Sequence, residues 1–263
     1  MEHGDPHMTK TEKLLFVHGA AGDARIWEPV IARLPGWMES NPITLTYFGP
    51  DAWPDDGGRF GIGLHKADII AAARQAREPV HLVCWSYAVQ AGLAALLAEP
   101  DLFASAVLYE GARPFHIVDE AERGAFAQSA ETIFGALAGV LQADGPDATI
   151  PALFGSHYEK MATARRAIYL SNARMMPLLF SSTDPGKITR EDLARIDTPC
   201  CCAMGTESQP AFTIATRALA DAMPRGSLSI VDGADHFLPE IGPDRFAQLV
   251  TDWVSGLRTN SGS

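Results

Sequence analysis

Short apolar runs that stop at small or turn residues alternate with stretches whose apolar residues recur at helical spacing. EKLLFVHG (12–19), NPITLTYF (41–48), PVHLVCW (79–85), FASAVLYEG (103–111), TPCCCAMG (198–205) and SLSIVDG (227–233) read as strands. IWEPVIARL (26–34), HKADIIAAARQAR (65–77), YAVQAGLAALLAE (87–99), 211–222 and 243–257 read as the helices between and after them. This alternation admits few architectures. Strands joined through helices pair in parallel, and a parallel sheet needs helices on both faces. The 263 residues, 47% of them hydrophobic and 20% charged, are enough for one large α/β domain.

The rhythm breaks after Gly111. Residues 112–192 hold no strand pattern, and EAERGAFAQSAETIFGALAGVLQ and YEKMATARRAIYLSNARMMPLL read as helical. The expected organisation is therefore a core at 9–111 and 193–258, a helical block at 112–192 inserted into it, and flexible termini at 1–8 and 259–263. The opening MEHGDPHM lacks the apolar stretch of a signal peptide, and no apolar run is long enough to span a bilayer. A cytoplasmic location is the expectation. A net charge of −11 argues against nucleic acid or an anionic membrane as partner. Cys84, Cys200, Cys201 and Cys202 suggest neither a disulfide framework nor a zinc site. The consecutive three point to alternate faces of a strand, where they serve as small core residues.

One strand-to-helix junction carries a candidate for chemistry. In LVCWSYAVQAG (82–92), Ser86 falls between the strand and the helix, with Cys84 and Ala88 as small neighbours. Two readings fit: a helix N-cap, or a nucleophile on a tight turn at the carboxyl end of a parallel strand, where such folds bind ligands. A nucleophilic serine needs oxyanion donors and a base. FVHGAAGDARIW supplies a small-residue loop after an earlier strand, so the N–H groups of Ala20 and Tyr87 are the candidate donors. His236, in DGADHFLPE between the last strand and the last helix, is the candidate base.

VHGAAG, LVCWSYA, LYEG and GADHF, in that order and spacing, make the sequence resemble the α/β-hydrolase family over nearly its whole length. The resemblance implies an α/β-hydrolase fold, a mostly parallel sheet flanked by helices, with 112–192 as a helical cap over the site. It implies a Ser86–His236–acid triad without metal or organic cofactor. The family usually places its acid after the seventh strand; here that stretch is MGTESQP, with Ser208 in the aspartate slot. Some members place the acid after strand six, which is Glu110 here. Glu110 is therefore the expected acid, with Glu207 second, and the competing reading of Glu110 is a loop carboxylate that caps a helix or pairs with Arg113. Asp232 and Asp235 sit too near His236 along the chain. The implied activity is hydrolysis of a small carboxylic ester or lactone through an acyl-enzyme. Alternatives are hydrolysis of a C–C bond in a β-diketone, a cofactor-free lyase or haloperoxidase-like activity, and a weakly active ligand-binding homologue. The expected partner is a small molecule; the sequence does not indicate an oligomeric state.

Several other residues have assigned expectations. His18 is expected to hold the oxyanion loop through its backbone. Trp85 is expected to pack inward, and Tyr87 to contribute its N–H and not its side chain. Phe115, His116, Phe126, Phe134, Tyr158, Tyr169, Met175 and Met176 include candidate pocket residues, and the Pro- and Gly-rich loop 47–58 is a candidate rim.

Overall fold

A computed structural model describes residues 11–260. Within it, β1 (Glu12–Val17), β2 (Met38–Ile43), β3 (Val80–Trp85), β4 (Phe103–Tyr109), β5 (Cys200–Gly205) and β6 (Gly226–Val231) form one sheet of order β2-β1-β3-β4-β5-β6. Every neighbouring pair is parallel. The four inner strands are apolar and almost wholly buried, as expected for strands covered on both faces. The helices before the helical block are α1 (Glu28–Ile31), α2 (Ile62–Gln75) and α3 (Tyr87–Ala98). After β5 come α11 (Pro210–Ala222), α12 (Leu238–Ile241) and α13 (Pro243–Asn260).

Between β4 and β5 the chain contributes helices only: α4 (Glu120–Ala130), α5 (Ala136–Asp144), α6 (Pro146–Phe154), α7 (Ser156–Lys160), α8 (Thr163–Asn172), α9 (Met176–Ser181) and α10 (Arg190–Leu193). A π-helical turn at Glu131–Gly135 joins α4 to α5. The single helix expected from Tyr158 to Leu179 is divided. Ala162 is extended before α8, and Pro177 stands in the first turn of α9, where its missing N–H costs nothing.

Two boundaries differ from expectation. The strand expected at 41–48 lies earlier, at Met38–Ile43, where the edge position tolerates Pro42. The alternation in TLTYF reflects a buried loop: the Leu45 N–H donates to His18 Nε2 at 3.1 Å and the Thr46 N–H to Asp68 Oδ2 at 2.8 Å, so side chains replace the ladder. At the carboxyl end, residues 259–260 continue α13; the other terminal residues in question, 1–8 and 261–263, lie outside the described range.

Candidate active site

β3 leads into α3 through Ser86, whose φ of 57° and ψ of −115° place a side-chain-bearing residue in strained backbone. The turn is tight enough that a Cβ on Gly19 would lie 3.2 Å from Ser86 Cβ. Cys84 and Ala88, where small residues are needed, are fully buried. Gly92, one helical turn beyond Ala88, makes room for the cysteine: a Cβ there would stand 2.6 Å from Cys84 Sγ. The Ser86 N–H donates to the Tyr109 carbonyl at 2.8 Å, tying the turn to β4. The Ser86 hydroxyl caps nothing in α3, which removes the helix-cap reading. It lies 3.0 Å from His236 Nε2.

His236 is 8% exposed and is held on several sides. Its ring stacks on Phe212 with centroids 3.7 Å apart, and its carbonyl accepts from Trp85 Nε1 at 2.9 Å. The preceding carbonyl, of Asp235, accepts from the Tyr109 hydroxyl at 2.7 Å. Nδ1 of the ring donates to Glu110 Oε2 at 2.9 Å. Glu110, immediately after β4 and with φ of 52°, is fully buried. Its other oxygen, Oε1, accepts from the Gly205 N–H at 2.7 Å and from the Ser208 hydroxyl.

Of the acids considered, Glu110 alone reaches His236. Glu207 is exposed and lines the cavity wall without touching the imidazole. Asp235 accepts from His157 Nε2 at 2.6 Å and from the Phe237 N–H, and Asp232 faces Thr206 at 3.4 Å. Glu110 forms no pair with Arg113, contrary to the loop-carboxylate reading. Ser208, in the slot where the family resemblance leads one to expect an aspartate, instead donates to Glu110.

The Ala20 and Tyr87 N–H groups donate to no group among the described residues. Tyr87 opens α3, so its N–H is one of the helix's unpaired donors. His18 stands behind the Ala20 loop. Its Nδ1–H donates to the Gly19 carbonyl at 2.9 Å, and burial lowers its pKa to about 4, which keeps the ring neutral.

A second serine–histidine pair shows what this site has that others lack. Ser105 Oγ bonds His81 Nδ1 at 2.8 Å, and Glu12 lies 3.3 Å from His81 Nε2. Ser105 also accepts from Trp253 Nε1 at 3.0 Å, is fully buried, and is the third residue of β4, toward the amino ends of the strands. It lines neither lobe of the cavity at Ser86.

Ser86 opens onto two joined lobes of about 410 Å³ each. Both touch Ala20, Ser86, Phe134, Leu179 and Phe180. The first lobe adds Phe60, Tyr87, Gln90, Arg113, Phe126 and Asp184; the second adds Leu137, Met176, Glu207, Phe212, His236 and Phe237. Of the eight candidate pocket residues, Phe126, Phe134 and Met176 line the cavity. Tyr169 and Met175 are buried in the core, and the His116 ring donates to the Ala215 carbonyl at 3.0 Å. Loop 47–58 supplies no wall, but Phe60 just beyond it does. The Tyr87 side chain lines the first lobe, its hydroxyl bonded to His65 at 2.7 Å, where only its N–H was expected to matter. Leu179, Phe180, Phe212 and Phe237 carried no sequence signal, because apolar residues at helical spacing look alike whether they face a core or a cavity.

Among the described residues, no group of His, Cys, Asp and Glu is arranged to hold a metal ion, and no helix is long and apolar enough to cross a membrane. Residues 14–249 match the model of the alpha/beta hydrolase family. No curated protein sequence matches the chain. Three solved structures illustrate the likeness of fold. A thermophilic esterase from Thermogutta terrifontis is 17% identical, with TM-score 0.67, covering 95% of this chain and 91% of its own. The esterase RhEst1 from Rhodococcus sp. ECU1013 is 21% identical, with TM-score 0.70 and coverage of 93% and 90%. The enol-lactonase from Burkholderia xenovorans LB400 is 16% identical, with TM-score 0.70 and coverage of 96% and 94%.

Proposed function

Because the chain belongs to the alpha/beta hydrolase family, we propose that it is a serine hydrolase that cleaves a small carboxylic ester or lactone through an acyl-enzyme. One observation carries this reading: an unbroken relay from Ser86 Oγ through His236 to Glu110, in a cavity also lined by Ala20 and Tyr87, whose N–H groups are unpaired. The esterases and the enol-lactonase with which it shares a fold support it.

In this reaction Ser86 Oγ attacks the substrate carbonyl while its proton passes to His236 Nε2. Glu110 fixes the Nδ1–H tautomer and stabilises the imidazolium. The Gly205 N–H and the Ser208 hydroxyl hold Glu110 in place on its far side. The Ala20 and Tyr87 N–H groups receive the oxyanion, a contribution of about 10²–10³ in rate per donor in comparable sites. The leaving oxygen takes the proton from His236. Water then attacks the acyl-enzyme, gives its proton to the same nitrogen, and releases the acid and free Ser86. The neutral imidazole is the base.

The test is covalent labelling with an alkyl fluorophosphonate, located by mass spectrometry. Labelling at Ser86 in the wild type, and its loss in His236→Ala, is the expected result. A folded protein that leaves Ser86 unlabelled contradicts the assignment.

A further inference from the structure

The first lobe of the cavity holds an unneutralised cation. Its polar side chains are Ser86, Tyr87, Gln90, Arg113, Ser182 and Asp184. Ser86 faces His236, and Tyr87 bonds His65. The Gln90 amide donates to the Gly186 carbonyl, and Ser182 donates to the Phe60 carbonyl at 3.0 Å. Asp184, exposed at the rim, accepts from the Gly63 N–H at 2.6 Å and the Gly186 N–H at 3.3 Å. Its charge is thus directed to backbone at the start of α2. Arg113 alone makes no hydrogen bond or ion pair among the described residues, although it is half-buried. Burial pushes its guanidinium below the usual range, and no carboxylate offsets that effect. A half-buried arginine without a partner bears a desolvation cost that an anion entering the cavity would relieve.

The second lobe fixes which part of the substrate that anion belongs to. His236 lines the second lobe with Phe212 and Phe237, and it is the group that protonates the leaving oxygen. The leaving group therefore lies there, and the acyl chain extends from Ser86 into the first lobe, toward Arg113. The planar guanidinium suits a carboxylate, which it binds through two parallel N–H donors. We propose that the substrate is a monoester, or the corresponding lactone, whose acyl part carries a free carboxylate held by Arg113. Hydrolysis adds water across the acyl C–O bond, so the ester yields an alcohol and a dicarboxylate. This substrate class rests on the serine-hydrolase reading above, but its binding test does not.

The binding test uses Ser86→Ala protein, which holds ester without turnover. Calorimetric titration with monoethyl pimelate is expected to show binding that weakens about tenfold or more when Arg113→Gln is added. The kinetic test compares 4-nitrophenyl hydrogen pimelate with methyl 4-nitrophenyl pimelate, which differ only in the distal charge. Wild-type kcat/KM should favour the acid, and that ratio should fall about tenfold or more in Arg113→Gln, with Arg113→Lys in between. Circular dichroism of each variant confirms the fold; if Arg113→Gln misfolds, the wild-type ratio and Arg113→Lys decide. Equal binding with and without Arg113, no binding at millimolar ligand, or equal wild-type rates on the two esters overturns the anion site. Turnover of both esters without preference does so while leaving the hydrolase reading intact. Arg113-dependent binding without turnover of either ester keeps the anion site and contradicts the hydrolase.

Discussion

Glu110 accepts three hydrogen bonds at once, from His236, the Gly205 N–H and the Ser208 hydroxyl. Glu110→Gln is expected to lower kcat by about 10³–10⁴, as in other triads where an amide replaces the acid and selects the wrong tautomer. Ser208→Ala removes one charge-assisted bond and should cost about 10–100-fold. Glu207→Gln should leave the rate within about twofold, since that side chain is exposed and meets no triad member. Steady-state kinetics on one ester orders the three, and a larger loss at Glu207 than at Glu110 would reassign the acid. Ser86 and His236 were legible as candidates because each stands between a strand and a helix, and Glu110 became one through the family resemblance, which allows an acid just after the sixth strand. The role of Ser208 was not. In sequence it reads as a missing acid, and only the turn that brings it over Glu110 shows it as a donor. Arg113 was legible only as a neighbour of Glu110, because the lack of a partner is a property of three dimensions.

At the scale of elements, the close contact between β3 and α3 sets the turn that presents Ser86. It is made without the glycines usual beside the serine; the space comes from Gly92, on the helix side. Gly92→Ala is expected to destabilise the fold by about 1–3 kcal/mol, because its Cβ meets Cys84 Sγ. In a Cys84→Ala background the sulfur is gone. The same change should then cost less, because only Leu82 Cδ2, at 3.3 Å, remains close and alanine is the better helix former by about 1 kcal/mol. Chemical denaturation of the two single variants and the double variant measures the coupling; simple additivity would mean that Gly92 does not accommodate the cysteine. The strand–helix order was legible throughout, because buried parallel strands are continuous apolar runs. β2 was misplaced because MESNPI is polar and on the edge, whereas the apolar run TLTYF that follows is a loop whose N–H groups bond side chains.

At the scale of the whole molecule, the helical block shares the apolar core of the sheet domain and adds polar ties to it. Arg165 of α8 donates to Glu240 of α12 and to the carbonyls of Arg25 and Ile26. Tyr169 donates to the same glutamate at 2.7 Å, and His157 of α7 to Asp235 at 2.6 Å. Elsewhere the fold buries histidines with lowered pKa values: His18, at about 4, and His65 and His116, all chiefly through desolvation. The unfolded chain takes up these protons near pH 6.5 and the folded chain resists them. Stability is therefore fully present above about pH 6.5 and declines as pH falls toward 4. His18 alone should account for about 3 kcal/mol of that loss. Denaturation midpoints measured across this range should fall less steeply in His18→Gln, and an unchanged slope would remove His18 as the cause.

Under the proposed reaction, an acid immediately after β4 separates two tasks that a single loop would otherwise share. Glu207, Ser208 and Gln209, after β5, form part of the second lobe's wall, yet they give the relay only one hydroxyl. The carboxylate itself stands immediately after β4, the strand beside that of Ser86, where the Glu110 N–H donates to the Ala203 carbonyl of β5 at 3.2 Å. The loop that shapes the leaving-group side can therefore change length or composition, provided a donor remains near Glu110, without dismantling the proton relay. If the proposed reaction holds, selectivity for the alcohol is the property most open to diversification, by selection or by design.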